Sequence, residues 1–193
     1  NAQSRTLNLG GANQPTVEYL GPGEDRFGGS LIFDSSQEQS LTLYDADTQN
    51  GEGYFVSVLV NFDDLSIADG ETQSIVAKSD AGGFALELDN PEGLGAAVLR
   101  FGVRVGEDYV YATYPKSLLN GTDAYWITGC YDGDGVVRMW VNNSDDDVDA
   151  SRNVLGGVVN NSSPIVIGAD PQGAVNRRFH TSAKIQRINV QSW

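Results

Sequence analysis

Apolar residues alternate with other residues along most of this chain, and this period of two constrains the fold more than any other feature. The clearest example is YFVSVLVNF (54–62), and DYVYATY (108–114) and AYWITGCY (124–131) repeat it. Such alternation places one side of an extended strand against a core. No segment shows the 3.6-residue apolar spacing of a long amphipathic helix. The sequence therefore predicts an all-β chain.

The strand-like segments are separated by turn sequences such as DAGG (80–83) and DGDG (132–135). Glycine adopts positive φ easily, and Asp side chains cap the bend. So many strands in 193 residues fit two stacked sheets better than one flat sheet. We predict one domain, 1–193, folded as a two-sheet antiparallel β-sandwich of the jelly-roll type. The predicted strands are 16–20, 30–34, 40–44, 54–62, 73–78, 83–89, 97–103, 108–114, 124–131, 136–142, 164–168 and 183–191.

The charge balance narrows the range of partners. The chain has 26 acidic and 12 basic residues and a formal net charge of -14. This charge repels phosphate backbones and favours cations, so we expect no nucleic-acid partner and consider calcium a candidate cofactor. No run approaches the roughly 20 apolar residues of a membrane span, so we expect no membrane insertion.

Cys130 and His180 are the single cysteine and the single histidine of the sequence. A structural zinc site needs about four such ligands, so the sequence excludes one. One cysteine also rules out an intramolecular disulfide. We expect Cys130 to be a small buried residue of the core.

The order of motifs resembles that of a known family. The segment YWITGCYDGDGVVRMWVNN (125–143) resembles the paired strands of laminin-G-like and pentraxin-like domains, and SPIVIGADPQG (163–173) and SAKIQRINVQ (182–191) are similar to the family's Ile-Gly turn and last strand. Segments 28–47 and 74–88 resemble its opening pair and central hairpin. The resemblance implies a concanavalin A-like sandwich. That fold occurs in lectins, carbohydrate-binding modules, adhesins, glycoside hydrolases and polysaccharide lyases, so it does not define a function.

The resemblance also implies a calcium site at one edge of the sandwich, with Asp80 and Asp170 at the positions of the family's ligands. The cluster of acidic and amide ligands in pentraxins is reduced here to Ala169, Asp170 and Pro171. Backbone carbonyls and Asn176 would have to complete the roughly 6 to 8 oxygens that calcium takes. The order Asp-Pro-Gln-Gly (170–173) also predicts a type I turn that begins at Asp170.

Two further groups of charged residues are ligand candidates. Asp45 and Asp47 lie in the oxygen-rich, glycine-broken segment YDADTQNGEG (44–53), which suits calcium but equally suits a solvated loop. Arg177 and Arg178 follow the Asp170 segment. A guanidinium there can bind the carboxylate of an acidic sugar or a peptide end, or it can neutralise neighbouring aspartates.

The catalytic motifs are weaker. Glu87, Asp89 and Glu92 have the ExDxxE spacing of one jelly-roll glycoside hydrolase family, but Pro91 predicts that Glu92 lies in a turn away from the other two. Tyr111 is a ligand candidate on an alternating strand, and a lyase would use such a tyrosine with a partner such as His180. The alternation predicts that Trp140 points outward, and we expect Trp126 to be in the core.

These observations predict a non-catalytic binding module of a larger exported bacterial protein, flanked by other domains and located outside the cell or on its surface. Its predicted ligand is a glycan or polysaccharide, bound at the loop edge with the help of calcium. The alternative is an adhesin domain that binds a protein or a peptide end on another cell. A glycoside hydrolase or polysaccharide lyase remains a third hypothesis.

Overall fold

The computed structural model describes residues 7–8, 14–18, 30–43, 51–63, 65–93, 96–133, 135–142, 157–172 and 176–193. Two short 3₁₀ helices, Ser35–Gln37 and Lys116–Leu118, lie between the strands of these residues. The strands are β1 (Leu7–Asn8), β2 (Thr16–Glu18), β3 (Ser30–Phe33), β4 (Leu41–Leu43), β5 (Tyr54–Phe62), β6 (Thr72–Ala77), β7 (Phe84–Asp89), β8 (Val98–Val105), β9 (Asp108–Pro115), β10 (Ala124–Tyr131), β11 (Val137–Val141), β12 (Ile165–Ile167), β13 (Asp170–Gln172), β14 (Asn176–Arg178) and β15 (Ala183–Ser192).

The strands form two large antiparallel sheets that enclose one core. The seven-stranded sheet has the order β1-β4-β12-β6-β7-β8-β9, and the six-stranded sheet has the order β11-β10-β5-β15-β3-β2. Strands β13 and β14 pair only with each other as a short ribbon within the part of the chain that the structure describes. The predicted two-sheet antiparallel β-sandwich is confirmed.

Alternate residues of each strand fill the space between the sheets. Val56, Val58 and Val60 of β5 are completely buried, as are Phe84 and Phe101 of the opposite sheet. Gly129 of β10 is required at this interface, because a Cβ there would overlap the Phe101 ring. The remaining alternate residues point away from the core. Each large sheet thus has an outer face.

The structure corrects two predictions about the core. Trp126 and Cys130 are half-buried and belong to the outward-pointing set of β10, whereas their neighbours Tyr125, Ile127 and Tyr131 fill the core. The outward position predicted for Trp140 is confirmed, since it is half-buried while Met139 and Val141 are buried.

The predicted type I turn beginning at Asp170 is wrong. Asp170, Pro171 and Gln172 are extended in β13 and pair with Arg178, Arg177 and Asn176 of β14. The bend before the ribbon uses Gly168, which has a φ of 81°. Pro171 is tolerated because a two-stranded ribbon leaves its nitrogen without an obligatory ladder partner.

Among the described residues, neither of the two helices has the length or the apolar character to cross a lipid bilayer.

Candidate functional site

An open groove of about 560 Å³ lies on the outer face of the six-stranded sheet. Strands β5, β10 and β15 build it, and their registers bring side chains that are distant in sequence into one surface. Trp126 is opposite Leu59, and Leu59 is opposite Arg187, so Leu59 is covered from both sides and only 6% exposed. The residues that line the groove are Phe55, Ser57, Trp126, Gln186, Arg187, Ile188 and Asn189.

A β-bulge in β15 shapes one wall of the groove. The pairing of β15 with β5 shifts between Ile185 and Arg187, so that Gln186 is an extra residue. A bulge of this kind re-aims side chains. It places Gln186 beside the exposed Arg187 and Asn189 at the groove.

The backbone of Trp126 pairs with Asn142 at the opposite wall. Its backbone N–H donates to Oδ1 of Asn142 at 2.9 Å, and its carbonyl accepts from the Asn142 N–H at 2.7 Å. Below it, the hydroxyls of Ser57 and Thr128 are 3.1 Å apart and tie β5 to β10. The groove is therefore built on paired strands and not on loops.

The sequence pattern does not predict this site. It indicates an exposed aromatic on β11, but it does not bring Trp126 and Phe55 together with the polar residues of β15. The sequence does contain one signal. The alternation along β5 and β10 places Phe55 and Trp126 on the outer face and their neighbours in the core. The register that joins them to β15 depends on a bulge and on long-range pairing, which a local pattern does not encode.

The outer face of the seven-stranded sheet carries a compact charged cluster. Arg100 on β8 donates from Nε to Glu87 Oε2 at 2.9 Å and from Nη1 to Asp89 Oδ2. Ser74 Oγ donates to the other Glu87 oxygen at 3.0 Å, and Thr72 Oγ1 donates to Asp89 at 2.7 Å. Both acidic residues are only 5% exposed.

This cluster lacks the features of the glycoside hydrolase motif. Glu92 lies in the turn after β7 and is exposed, as Pro91 predicted. Glu87 and Asp89 share one guanidinium, and each also accepts a hydrogen bond from a hydroxyl. Such fully engaged carboxylates are suited to fixing three strands together, not to exchanging protons with a substrate.

Tyr111 lies on the same outer face, between Arg100 and Tyr109. The Arg100 guanidinium is 4.5 Å from the centre of the Tyr111 ring, and the Tyr111 and Tyr109 rings stack with centroids 6.0 Å apart. Gly102 makes room for this arrangement, because a Cβ there would overlap the Tyr111 ring. Burial raises the pKa of Tyr109 to about 12, and it raises the pKa of Tyr111 as well.

The structure brings Asp170, Arg178 and the Asp80 loop together at one end of the seven-stranded sheet. Arg178 Nε donates to Asp170 Oδ2 at 2.7 Å, and Ser79 Oγ donates to Oδ1 of the same carboxylate. Burial raises the pKa of Asp170 to about 6, although the hydrogen bond and charge of Arg178 act in the opposite direction. The nearby charges of Glu87 and Asp80 raise this pKa further.

Arg177 and Arg178 point to different partners. Arg177 donates from Nη2 to Thr42 Oγ1 on β4 at 2.9 Å, so the ribbon reaches across the sheet. Asn176 lies opposite Gln172 in the ribbon register. His180 follows the ribbon and lies 3.3 Å from the carbonyl of Gln39 through Nδ1.

The residues near Asp80 and Asp170 do not fit a calcium ion as they are arranged. Both oxygens of Asp170 already accept hydrogen bonds, and a guanidinium adjoins them. In the described ranges, no group of three or more His, Cys, Asp or Glu residues is placed to hold a metal. Asp45 and Asp47 lie outside the described residues, so calcium binding by their segment stays a prediction.

Comparisons with known proteins agree on the fold. No family model matches the chain, and no curated protein matches it. Among solved structures, the binding domain of Paraclostridial Mosquitocidal Protein 1 superposes with a TM-score of 0.66 at 16% identity, over 97% of this chain and 44% of that one. The receptor binding domain of botulinum neurotoxin D gives 0.64 at 14% identity, over 99% and 45%. Tailspike protein 2 of an Escherichia coli O157:H7 bacteriophage gives 0.61 at 13% identity, over 97% and 25%.

These likenesses establish a β-sandwich that other proteins also use. At such low identity they carry the architecture and not the activity. The chain spans less than half the length of each of these three structures. The resemblance to laminin-G-like and pentraxin-like domains stays a prediction.

Proposed function

We propose that this chain is a non-catalytic carbohydrate-binding module and that the sugar lies in the groove on the outer face of the six-stranded sheet. The groove itself is the observation that carries the proposal. It combines two aromatic side chains with amide, hydroxyl and guanidinium groups on a rigid sheet. Glycans occur in extracellular matrices and on cell surfaces, so we propose that the module acts outside the cell. We also propose that it is part of a longer protein.

The chemistry of the lining suits a sugar ring. Trp126 and Phe55 offer apolar faces that can pack against the C–H groups of a pyranose. Asn189, Gln186 and Ser57 can donate and accept hydrogen bonds, and Arg187 adds a planar donor, which together suit a ring of hydroxyls. A purely apolar protein segment would offer these polar groups no hydrogen-bonding partner of its own.

Two further observations support binding over catalysis. Glu87 and Asp89, the carboxylates of the hydrolase motif, both pair with Arg100 on the outer face of the other sheet. Two of the similar structures are described as binding domains of toxins. A receptor that is a protein is the second hypothesis, and the experiment below separates it from a glycan.

The test is a glycan array and a peptide array, followed by calorimetry on the ligands found. We expect glycan binding, and we expect Trp126→Ala to weaken it by about tenfold or more through loss of the stacking surface. Trp140→Ala is the matched control, because Trp140 is outward on the neighbouring strand but does not line the groove. It should bind like the wild type.

Equal affinities of Trp126→Ala and the wild type would refute the groove as the binding site. Hits confined to the peptide array would favour the adhesin hypothesis. Release of reducing ends or unsaturated sugars by the purified chain, abolished in Glu87→Gln, would show an enzyme instead.

A further inference from the structure

We infer that protein cations take the position that the resemblance implies for calcium at the loop edge, which comprises residues 78–83, 159–163, 168–172 and 176–181. Arg178 balances Asp170, and Lys78 binds the backbone of the adjoining segment. This edge is then stable without calcium. The inference does not depend on glycan binding, since the groove lies on the other sheet.

The Asp170 carboxylate is buried and hydrogen-bonded through both of its oxygens. It is 1% exposed and has no oxygen left over, because Oδ2 accepts from Arg178 and Oδ1 accepts from Ser79. The Arg178 side chain is 44% exposed, so the guanidinium enters from the solvent side. A calcium ion approaching Asp170 from solvent would meet this like charge.

The neighbouring carbonyls, which calcium would need to complete its shell, lie against protein donors. The Tyr109 hydroxyl is within hydrogen-bonding distance of the carbonyls of Ser79 and Gly82, at 2.9 Å for Gly82, and shares its one proton between them. Asn161 Nδ2 donates to the carbonyls of Lys78 and Asp80, at 3.0 and 2.9 Å. Four carbonyls of this loop thus already face protein donors.

Lys78 is a completely buried ammonium at this edge. Its Nζ contacts three oxygens, the Asn161 carbonyl at 3.0 Å, Asn161 Oδ1 at 3.1 Å and the Ser163 carbonyl at 2.5 Å. Within the described residues it forms no ion pair. A cation enclosed by carbonyl and amide oxygens is the arrangement that a bound metal ion would otherwise create.

The experiment measures melting temperatures in EDTA and in calcium for the wild type, Arg178→Gln and Arg177→Gln. We expect the wild type to melt at the same temperature in both. Arg178→Gln should melt lower in EDTA, and calcium should restore part of the loss, because the substitution uncovers Asp170 beside Asp80. Arg177→Gln is the matched control, since its guanidinium donates to Thr42. Its melting temperature should not respond to calcium.

A calcium response of the wild type that disappears in Asp170→Asn would overturn the inference. So would a loss in Arg178→Gln that calcium leaves unchanged, because the guanidinium would then not occupy a cation position.

Discussion

Asp170 is a buried carboxylate that links two segments of the chain. It is nearly inaccessible to solvent, and it connects the 78–83 turn, through Ser79, to the ribbon, through Arg178. Burial is the main reason that its pKa is raised to about 6, well above the value of about 3.9 for an unfolded Asp. The folded protein thus binds a proton at this carboxylate more readily than the unfolded chain does.

The pH dependence follows from this difference. Because the folded pKa is the higher one, the contribution of Asp170 to stability rises as pH falls through about 6 and levels off below about 4. Relative to Asp170→Asn, we expect the free energy of unfolding of the wild type to increase by about 1–3 kcal/mol between about pH 7 and pH 4.5. Urea unfolding of both proteins at each pH measures this difference in the free energy of unfolding.

Asp132→Asn serves as the control for this experiment, since Asp132 forms a partly exposed pair with Arg138 at 2.7 Å. A difference between the wild type and Asp170→Asn that stays flat or falls on acidification would contradict the prediction.

Single residues differ in how far the sequence could predict them. Glu92 was placed correctly in a turn, because Pro91 has a strong local effect. Trp126 was not, because both alternating sets of β10 contain large apolar residues. The Phe101 ring of the other sheet packs against Gly129. Gly129 and the residues that alternate with it therefore face the core. That information is tertiary and has no local signal.

At the scale of elements, the clamp between Lys78 and Asn161 joins the turn after β6 to the segment before β12. Asn161 accepts from Lys78 Nζ and donates to two carbonyls of the turn. We expect Asn161→Ala to lower the free energy of unfolding by about 2–3 kcal/mol, because it leaves buried polar groups unsatisfied. Urea unfolding measures the loss, and limited proteolysis should show faster cleavage within 78–83.

Asn189→Ala is the comparison variant for the clamp, since Asn189 is an exposed residue of β15. If Asn161→Ala and Asn189→Ala were equally stable, the clamp would have no energetic role.

Elements also differ in how well local patterns predict them. Strands β5 and β10 begin and end at the predicted residues, because their alternation is long and regular. The β13–β14 ribbon was missed. Its strands have three residues each, one contains proline, and they are held by tertiary contacts such as the hydrogen bond from the Ser74 N–H to the Phe179 carbonyl.

On the scale of the whole molecule, the net charge of -14 is distributed unevenly. Three cations, Arg138, Lys184 and Arg187, and no acidic residue point outward from five described strands of the six-stranded sheet, β3, β5, β10, β11 and β15. The acidic excess lies elsewhere. Mutual repulsion of these carboxylates opposes the compact state.

Screening should therefore stabilise the fold. We expect the melting temperature to rise by roughly 2–5 °C between low salt and about 0.5 M NaCl, as the Debye length shortens to a few Å. Scanning calorimetry measures the change, with sulfate avoided because it stabilises proteins by exclusion.

A variant in which exposed acids are neutralised, Asp63→Asn with Glu107→Gln and Asp108→Asn, should show a smaller salt response. A melting temperature that does not change with salt, or that falls, would argue against self-repulsion as a stability term.

The position of the groove has a consequence for how such a domain diversifies. Three of its lining residues, Phe55, Ser57 and Trp126, alternate with the core residues of β5 and β10, so they can be replaced without altering the interior. A lineage can exchange the chemistry of this surface while the hydrophobic layer beneath stays under separate selection. This chain shares the sandwich with other binding domains at 12–16% identity. The same separation makes this face a practical surface for engineering new binding specificities.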